Sequence, residues 1–163
     1  MFRVAVLTVS DKGARGERED LSGQAVKELV EGEGWRVDEI RLVSDDLAAI
    51  AAALLDFVAA GVDLVLTTGG TGLGPRDNTP EATLSVIERE VPGLAEVMRS
   101  ETYKITPRAI LSRAVAGIRG KTLIVNLPGS PQAVRECLGV VLPVLGHGLA
   151  VLTGREQECA RKE

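Results

Sequence analysis

A glycine loop with an aspartate at its end is the stretch of this sequence best equipped for chemistry. Leu64-Val65-Leu66 is an apolar run of the kind that forms a buried parallel strand. Thr67 and Thr68 follow, then four glycines in six residues: Gly69, Gly70, Gly72 and Gly74. Pro75-Arg76-Asp77-Asn78 is a polar turn. Thr79-Pro80-Glu81 then opens a helix, with Thr79 suited to the N-cap, Pro80 to the first helical position and Glu81 to the positive end of the dipole. Glycines let a ligand approach the backbone, and successive bare amides make a site for phosphate oxygens. Asp77 would repel a phosphate held there, and a divalent metal between them removes the conflict. The loop matches neither G-x-G-x-x-G nor the P-loop, so its alternative reading is an ordinary tight strand-to-helix turn. Gly120-Lys121-Thr122 imitates the end of a P-loop. Val115 stands where the first glycine should be, however, and the triplet leads into a strand, so it is set aside.

A second carboxylate falls at the same edge. Ser44-Asp45-Asp46 follows a predicted strand and precedes a predicted helix. Ser44 or Asp45 can cap that helix, yet one residue suffices for a cap. Asp45 and Asp77 lie on neighbouring loops at the carboxyl ends of strands, where two carboxylates can share a hard divalent cation. Ser10 and Asp11 close the first strand at that edge and are candidates for ligand contact; the alternative is that they cap a turn. Asn126 puts an amide inside an apolar strand, which marks either a core residue bonded to the backbone or a ligand contact. Pro128-Gly129-Ser130-Pro131 is another strand-to-helix turn, with Ser130 as its N-cap.

The elements that must carry these residues alternate along the chain. Strands are expected at Phe2–Val9, Trp35–Val43, Asp63–Thr68 and Leu123–Leu127, with Trp35–Val43 near a sheet edge and Ala114–Ile118 a short strand or an irregular link. Asp11–Asp20 reads as a charged loop. Helices are expected at Leu21–Glu33, with Leu21, Ala25, Leu29 and Val30 as its apolar stripe, and at Leu47–Ala60, Glu81–Glu90, Leu94–Thr102, Arg108–Arg113 and Gln132–Leu145. Leu47–Ala60 is apolar almost all round, which suits close helix packing or a subunit interface. His147 falls at the end of the last helix as a dipole partner, with no further role. The pattern predicts an α/β fold: a three-layer α/β/α sandwich around a mostly parallel, doubly wound sheet. One domain spans 1–154, and 155–163 is a charged C-terminal tail expected to fray.

Composition excludes several functions. The chain has 163 residues, a net charge of -4 and only 2% aromatics, which argues against a nucleic-acid surface or base-stacking platforms. No uninterrupted apolar run reaches about 18 residues, and the first strand begins within a few residues without a signal-peptide pattern. The two cysteines, Cys137 and Cys159, are far apart and suggest neither a zinc site nor a disulfide framework. A reducing cytoplasmic setting is the default. His147 is the single histidine, so imidazole catalysis and a His-rich metal site lack supply. Arginine outnumbers lysine while Asn and Gln are few, a weak hint of a thermophilic source.

Four strings, in order, resemble one family. They are V-S-D at Val9–Asp11, T-T-G-G-T-G-L-G-P-R-D-N-T-P-E-A-T at Thr67–Thr83, I-T-P-R-A-I-L-S-R-A-V-A-G-I-R-G at Ile105–Gly120, and N-L-P-G-S-P at Asn126–Pro131. The chain resembles the molybdopterin adenylyltransferases, which include MogA, MoaB-like proteins and the gephyrin G domain, from about Arg3 to Gly154. The resemblance implies a Mg²⁺-dependent reaction of ATP with molybdopterin that gives adenylyl-molybdopterin and pyrophosphate. It implies that Asp45 and Asp77 are the catalytic, metal-holding aspartates. The nucleotide and pterin sites would draw on Ser10, Asp11, Gly69, Gly70, Thr71, Gly72, Arg76, Thr102, Ser112, Arg113, Asn126, Pro128, Gly129 and Ser130. Arg76 and Arg113 would add positive charge, or else form surface salt bridges. One departure is Asn78, where relatives usually carry valine; it adjoins Asp77 and bears on that carboxylate's geometry. The resemblance also implies a cytoplasmic homotrimer that hands its product towards a molybdenum-insertion protein. The rival readings are a pterin-binding module without catalysis and a nucleotide or nicotinamide-ribose hydrolase of the same fold.

Overall fold

The computed structural model describes residues 1–156. Its strands are β1 (Arg3–Val9), β2 (Arg36–Val43), β3 (Leu64–Thr68), β4 (Arg89–Glu90), β5 (Ala116–Arg119) and β6 (Thr122–Leu127). They form one six-stranded sheet in the order β2-β1-β3-β6-β5-β4. β2, β1, β3 and β6 run parallel, while β5 and β4 add an antiparallel margin. The helices are α1 (Asp11–Ala14), α2 (Leu21–Gly32), α3 (Leu47–Ala59), α4 (Thr79–Val86), α5 (Pro92–Tyr103) and α6 (Pro131–Thr153).

The alternation within β1 explains the layers. Val4 and Val6 point to one side, where α2, α5 and α6 supply Val26, Met98 and Leu138. Ala5, Leu7 and Val9 point to the other, where α3 and α4 supply Leu54, Phe57 and Val86. Helices cover both faces, so β3 and β6 are buried at every residue and read as continuous apolar runs. Each fully buried leucine or phenylalanine contributes about 1.5–3 kcal/mol. β2 is the edge strand, and Arg36, Asp38, Glu39 and Arg41 there pair with neighbouring charges, which deters pairing with another strand.

Five elements differ from the sequence expectation. The charged loop after β1 contains α1, capped by the Ser10 hydroxyl. In α2, Leu21 is exposed at 55% and Val26 takes the core position instead. The helix after the glycine loop begins two residues before Glu81, with Thr79 as its first residue rather than its cap, and ends at Val86. Arg89–Glu90 then leaves helical geometry to pair with Gly117 and Ile118, a tertiary contact no local pattern reveals. α6 runs to Thr153 in place of 145. Pro143 and three glycines lie inside it, but Leu142, Leu145 and Leu149 continue the buried stripe, and packing overrides weak propensity. By length and composition α6 passes for a membrane span, yet that stripe belongs to the core shared with α2 and α5. His147 therefore sits within the helix, its Nδ1 3.0 Å from Glu156. Gly154 ends α6 in the left-handed conformation, and Arg155 folds back over the Phe2 ring and towards Asp63. The rest of the expected tail, with Cys159, lies outside the described residues.

Candidate active site

β1, β3 and β6 all end at the same edge, and the loops that leave them enclose a cavity of about 660 Å³. Its wall includes Ser10, Asp45, Gly69, Gly70, Asp77, Gly129 and Ser130. These residues come from four different loops, so the parallel sheet is what gathers them.

Asp46, not Ser44 or Asp45, caps α3, accepting from the Ala49 amide at 2.9 Å. Asp45 is thereby released for another task. Asp11 and Asp45 bind each other through the backbone: Asp11 Oδ1 accepts from the Asp45 N–H at 3.0 Å, and Asp45 Oδ2 accepts from the Asp11 N–H at 2.8 Å. Burial pushes the Asp45 carboxyl above its ordinary value, against the pull of the Asp11 amide, and the charges of Asp11 and Asp77 raise it further. Asp11 goes the other way. The Arg76 guanidinium grips it through two nitrogens at 2.9 and 3.1 Å, and with the Asp45 amide holds it down to about 2. Arg76 is thus paired within the chain, as the salt-bridge reading expected.

The glycine loop is pinned by its own chain at several points. The Gly69 amide donates to the Leu127 carbonyl at 3.1 Å and the Gly74 amide to Asp77 Oδ2 at 2.9 Å. Gly69 therefore contributes conformation rather than a donor. The amides of Gly70, Thr71 and Gly72 have no acceptor among the described residues, so the expected cradle narrows to these three. Gly69 and Gly70 both have positive φ, +88° and +68°. A Cβ on Gly69 would lie 2.4 Å from the Val9 carbonyl, so only glycine lets the loop lie against the end of β1. Asp45 Oδ1 lies 3.3 Å from where a Gly70 Cβ would stand, and Asp77 Oδ2 2.9 Å from that of Gly72. Both carboxylates thus flank the bare amides.

Arg113 faces the loop rather than solvent. Its Nε donates to the Gly72 carbonyl at 2.7 Å, an Nη to the Asp77 carbonyl at 2.7 Å, and the other Nη meets Glu81. Its own amide donates to the Thr71 carbonyl at 2.8 Å. The guanidinium fork is spent on holding the loop's shape. Thr79 adds a bond from its hydroxyl to the Gly69 carbonyl at 2.9 Å.

A second cavity, of about 220 Å³, opens between α5, α6 and the Pro107–Leu111 3-10 turn. It collects Thr102, Ser112, Asn126 and Pro128 among largely apolar neighbours that include Met98 and Cys137. Burial raises the Cys137 thiol. Thr102 is buried and donates to the Met98 carbonyl at 2.5 Å. Asn126 is wholly buried and fully engaged: its amide donates to Thr67 and Thr83 hydroxyls at 3.1 and 2.9 Å, and its oxygen accepts from Val115 at 3.2 Å. The strand asparagine is therefore a bonded core residue that also contributes to the cavity wall. The short turn Pro128–Ser130 separates the two cavities, with Pro128 facing the smaller and Gly129 and Ser130 the larger.

Sequence reasoning missed the polar floor of the larger cavity. Thr8 donates to Asp20 Oδ2 at 2.8 Å, and Ser22 and Thr68 share a bond at 3.0 Å. Asp20 caps α2 by accepting from the Gly23 amide at 2.8 Å, and the run Asp20-Leu21-Ser22-Gly23 at a helix start was the available signal. Counting lining side chains, Glu19, Asp20, Asp45 and Asp77 face a single arginine, Arg18. A polyanion meets an acidic cavity whose amides favour it and whose carboxylates do not. Among the described residues no three acidic, His or Cys groups converge as a ready metal cage. Asp45 and Asp77 instead fit the donor set of an ion that keeps substrate phosphate and water as its other ligands, as Mg²⁺ does. Their shared charge, which already raises Asp45, is what such a cation would relieve.

Comparisons with known proteins point to one family. A family described as "Probable molybdopterin binding domain" matches residues 5–147. The chain is 41% identical over 164 residues to a molybdopterin adenylyltransferase of Helicobacter pylori, covering 99% of this chain and 93% of that protein. It is 42% identical over 147 residues to the molybdopterin adenylyltransferase of Haemophilus influenzae, covering 85% and 72%. The molybdopterin biosynthesis enzyme MoaB of Thermus thermophilus superposes with a TM-score of 0.91 at 53% identity, over 97% of this chain and 100% of that one.

Proposed function

The chain belongs to the molybdopterin-binding-domain family, and on that premise we propose that it is a nucleotidyltransferase of molybdenum cofactor biosynthesis that adenylylates molybdopterin from ATP. The observation that carries this reading is the placement of Asp45 beside Gly70 and of Asp77 beside Gly72, the two ends of the run of bare amides, with Asp45, Gly70 and Asp77 all lining a cavity otherwise hostile to polyphosphate.

In the transfer, a phosphate oxygen of molybdopterin attacks the α-phosphorus of ATP. The new O–P bond forms as the bond from the α-phosphorus to the β-bridging oxygen breaks, and pyrophosphate departs with that oxygen. The attacking phosphate is already ionised near neutral pH, so the single histidine is not needed as a base. When bound to Asp45 and Asp77, Mg²⁺ would neutralise the triphosphate and stabilise the leaving pyrophosphate. The amides of Gly70, Thr71 and Gly72 donate to phosphate oxygens where charge builds up. Arg113 keeps those amides in shape, Asp11 keeps Asp45 in place, and Arg76 keeps Asp11 ionised. The smaller cavity, largely apolar and reached across the Pro128–Ser130 turn, suits the pterin, with Thr102 and Ser112 as its polar contacts.

Homotrimer assembly belongs to the same reading. It is supported by large exposed apolar side chains around the Pro107–Leu111 turn, among them Tyr103, Ile105, Ile110 and Leu111; a light-scattering mass tests it.

Purified protein with ATP, molybdopterin and Mg²⁺ is expected to release pyrophosphate. Asp45→Ala and Asp77→Ala are expected to fold normally and lose most turnover. Pterin binding without pyrophosphate release would make the chain a binding module instead. Full turnover in either variant at saturating Mg²⁺ would remove that residue from the metal role.

A further inference from the structure

The two acidic loops repel each other, yet one neutral side chain joins them. Asn78 occupies the N-cap position of α4, where an asparagine ordinarily accepts from a first-turn amide, but it makes no such bond. Its Nδ2 instead donates 2.9 Å to the main-chain carbonyl of Asp45, which is 33 residues away on another crossover loop. We propose that Asn78 is a positioning residue that sets the separation of the Asp45 and Asp77 carboxylates, and with it the affinity of the site for the cation–polyphosphate pair. The inference rests on the function proposed above and deepens it.

Asp45 is held at three points. Its N–H and Oδ2 belong to Asp11, and its carbonyl belongs to Asn78. Asp77, one peptide from Asn78, is held through its own carbonyl by Arg113 and through Oδ2 by the Gly74 amide. Asp11 and Arg113 therefore each fix one loop, and the Asn78 amide spans the gap between them. A second route joins Asp45 to the Asp77 segment, through Asp11 and the Arg76 that grips it, but it runs through an exposed ion pair. Asn78 instead bonds Asp45 directly, against the like charge that drives the two apart. The bond uses a main-chain carbonyl, so it leaves both carboxylates available. A valine would fill a similar volume without a donor. An aspartate would present oxygen to the Asp45 carbonyl and add a third negative charge.

The test is ATP binding by titration calorimetry at zero and at a series of Mg²⁺ concentrations, on the parent, Asn78→Val and Asn78→Asp. The Mg²⁺ dependence of turnover and the melting temperature are measured alongside. In the parent, Mg²⁺ tightens ATP binding. In Asn78→Val that gain shrinks by roughly threefold to tenfold, the loss of one hydrogen bond. Metal-free ATP affinity and melting temperature stay near the parent's, and kcat recovers at high Mg²⁺. Asn78→Asp, nearly isosteric, shows a larger loss and serves if the valine variant melts early. The proposal is overturned if both variants keep the parent's Mg²⁺-linked gain. It is likewise overturned if they lose metal-free and metal-linked affinity in the same ratio, which marks general disruption. If the parent shows no Mg²⁺-linked gain, the metal role of Asp45 and Asp77 fails first and this proposal falls with it.

Discussion

Asp11 and Asp45 tie the loops after β1 and β2 together by exchanging carboxylate-to-amide bonds, at 3.0 and 2.8 Å, in the way two antiparallel strands exchange main-chain bonds. The exchanged bonds favour the ionised form of both, yet their acidities diverge, because burial pushes Asp45 up while the Arg76 guanidinium holds Asp11 down.

The acid limb of the stability curve follows from Asp11. Its carboxyl falls from an ordinary 3.8 to about 2 in the fold. A depressed folded value means stabilisation that is present above 3.8 and lost as pH falls towards about 2. Melting temperature measured across that window should decline less steeply in Asp11→Asn than in the parent. Arg76→Ala, which lets the folded value rise back towards 3.8, should flatten the decline as well.

Asp45 carries the opposite sign. Its folded value is raised above an ordinary 3.8, so its charge subtracts stability as pH rises above 3.8. Asp45→Asn keeps an oxygen for the Asp11 amide and loses the charge. It should unfold at equal or higher urea concentration than the parent at pH 7 while losing most turnover, a trade of stability against function. A lower unfolding midpoint would show that the carboxylate is structural.

Arg113 predicts a loss of both shape and rate. Arg113→Ala removes the donors to the Gly72 and Asp77 carbonyls and should cost about 1–3 kcal/mol in urea denaturation. Arg113→Lys supplies one charge without the fork and should recover part of the stability but little of kcat. Equal kcat in the lysine variant would mean that charge alone is required.

Two alanine substitutions separate the loop's fold from its use. Gly69→Ala meets a positive φ and the Val9 carbonyl, and should destabilise by roughly 1–3 kcal/mol or more. At Gly72 the backbone is permissive, and the obstacle is the end of the Asp77 side chain, 2.9 Å away. Gly72→Ala should therefore melt near the parent while binding Mg·ATP more weakly, read by calorimetry and circular dichroism on the same samples.

The sequence shows the sheet more readily than the contacts that finish the site. Strands buried on both sides are mostly apolar, so β1, β3 and β6 are plain in the residues, as is the acidic pair beside the glycines. The two-residue strand Arg89–Glu90 is invisible because its only cause is a partner strand later in the chain. The length of α6 is hidden by Pro143, Gly146 and Gly148, which locally argue for a stop that burial overrules. The Arg113 clamp, the Asp11–Asp45 exchange and the Asn78 tie join residues 33 to 41 positions apart, and no local pattern encodes such distances. The division of the site residues between two chambers is likewise a product of tertiary packing.

That division has a mechanical corollary. Pro128, Gly129 and Ser130 form a party wall, one side furnished for each tenant. The wall is a few atoms thick, for Gly129 packs against Gly69, whose Cα stands 3.3 Å from where a methyl would be. A displacement of that tripeptide towards one chamber takes room from it and gives room to the other.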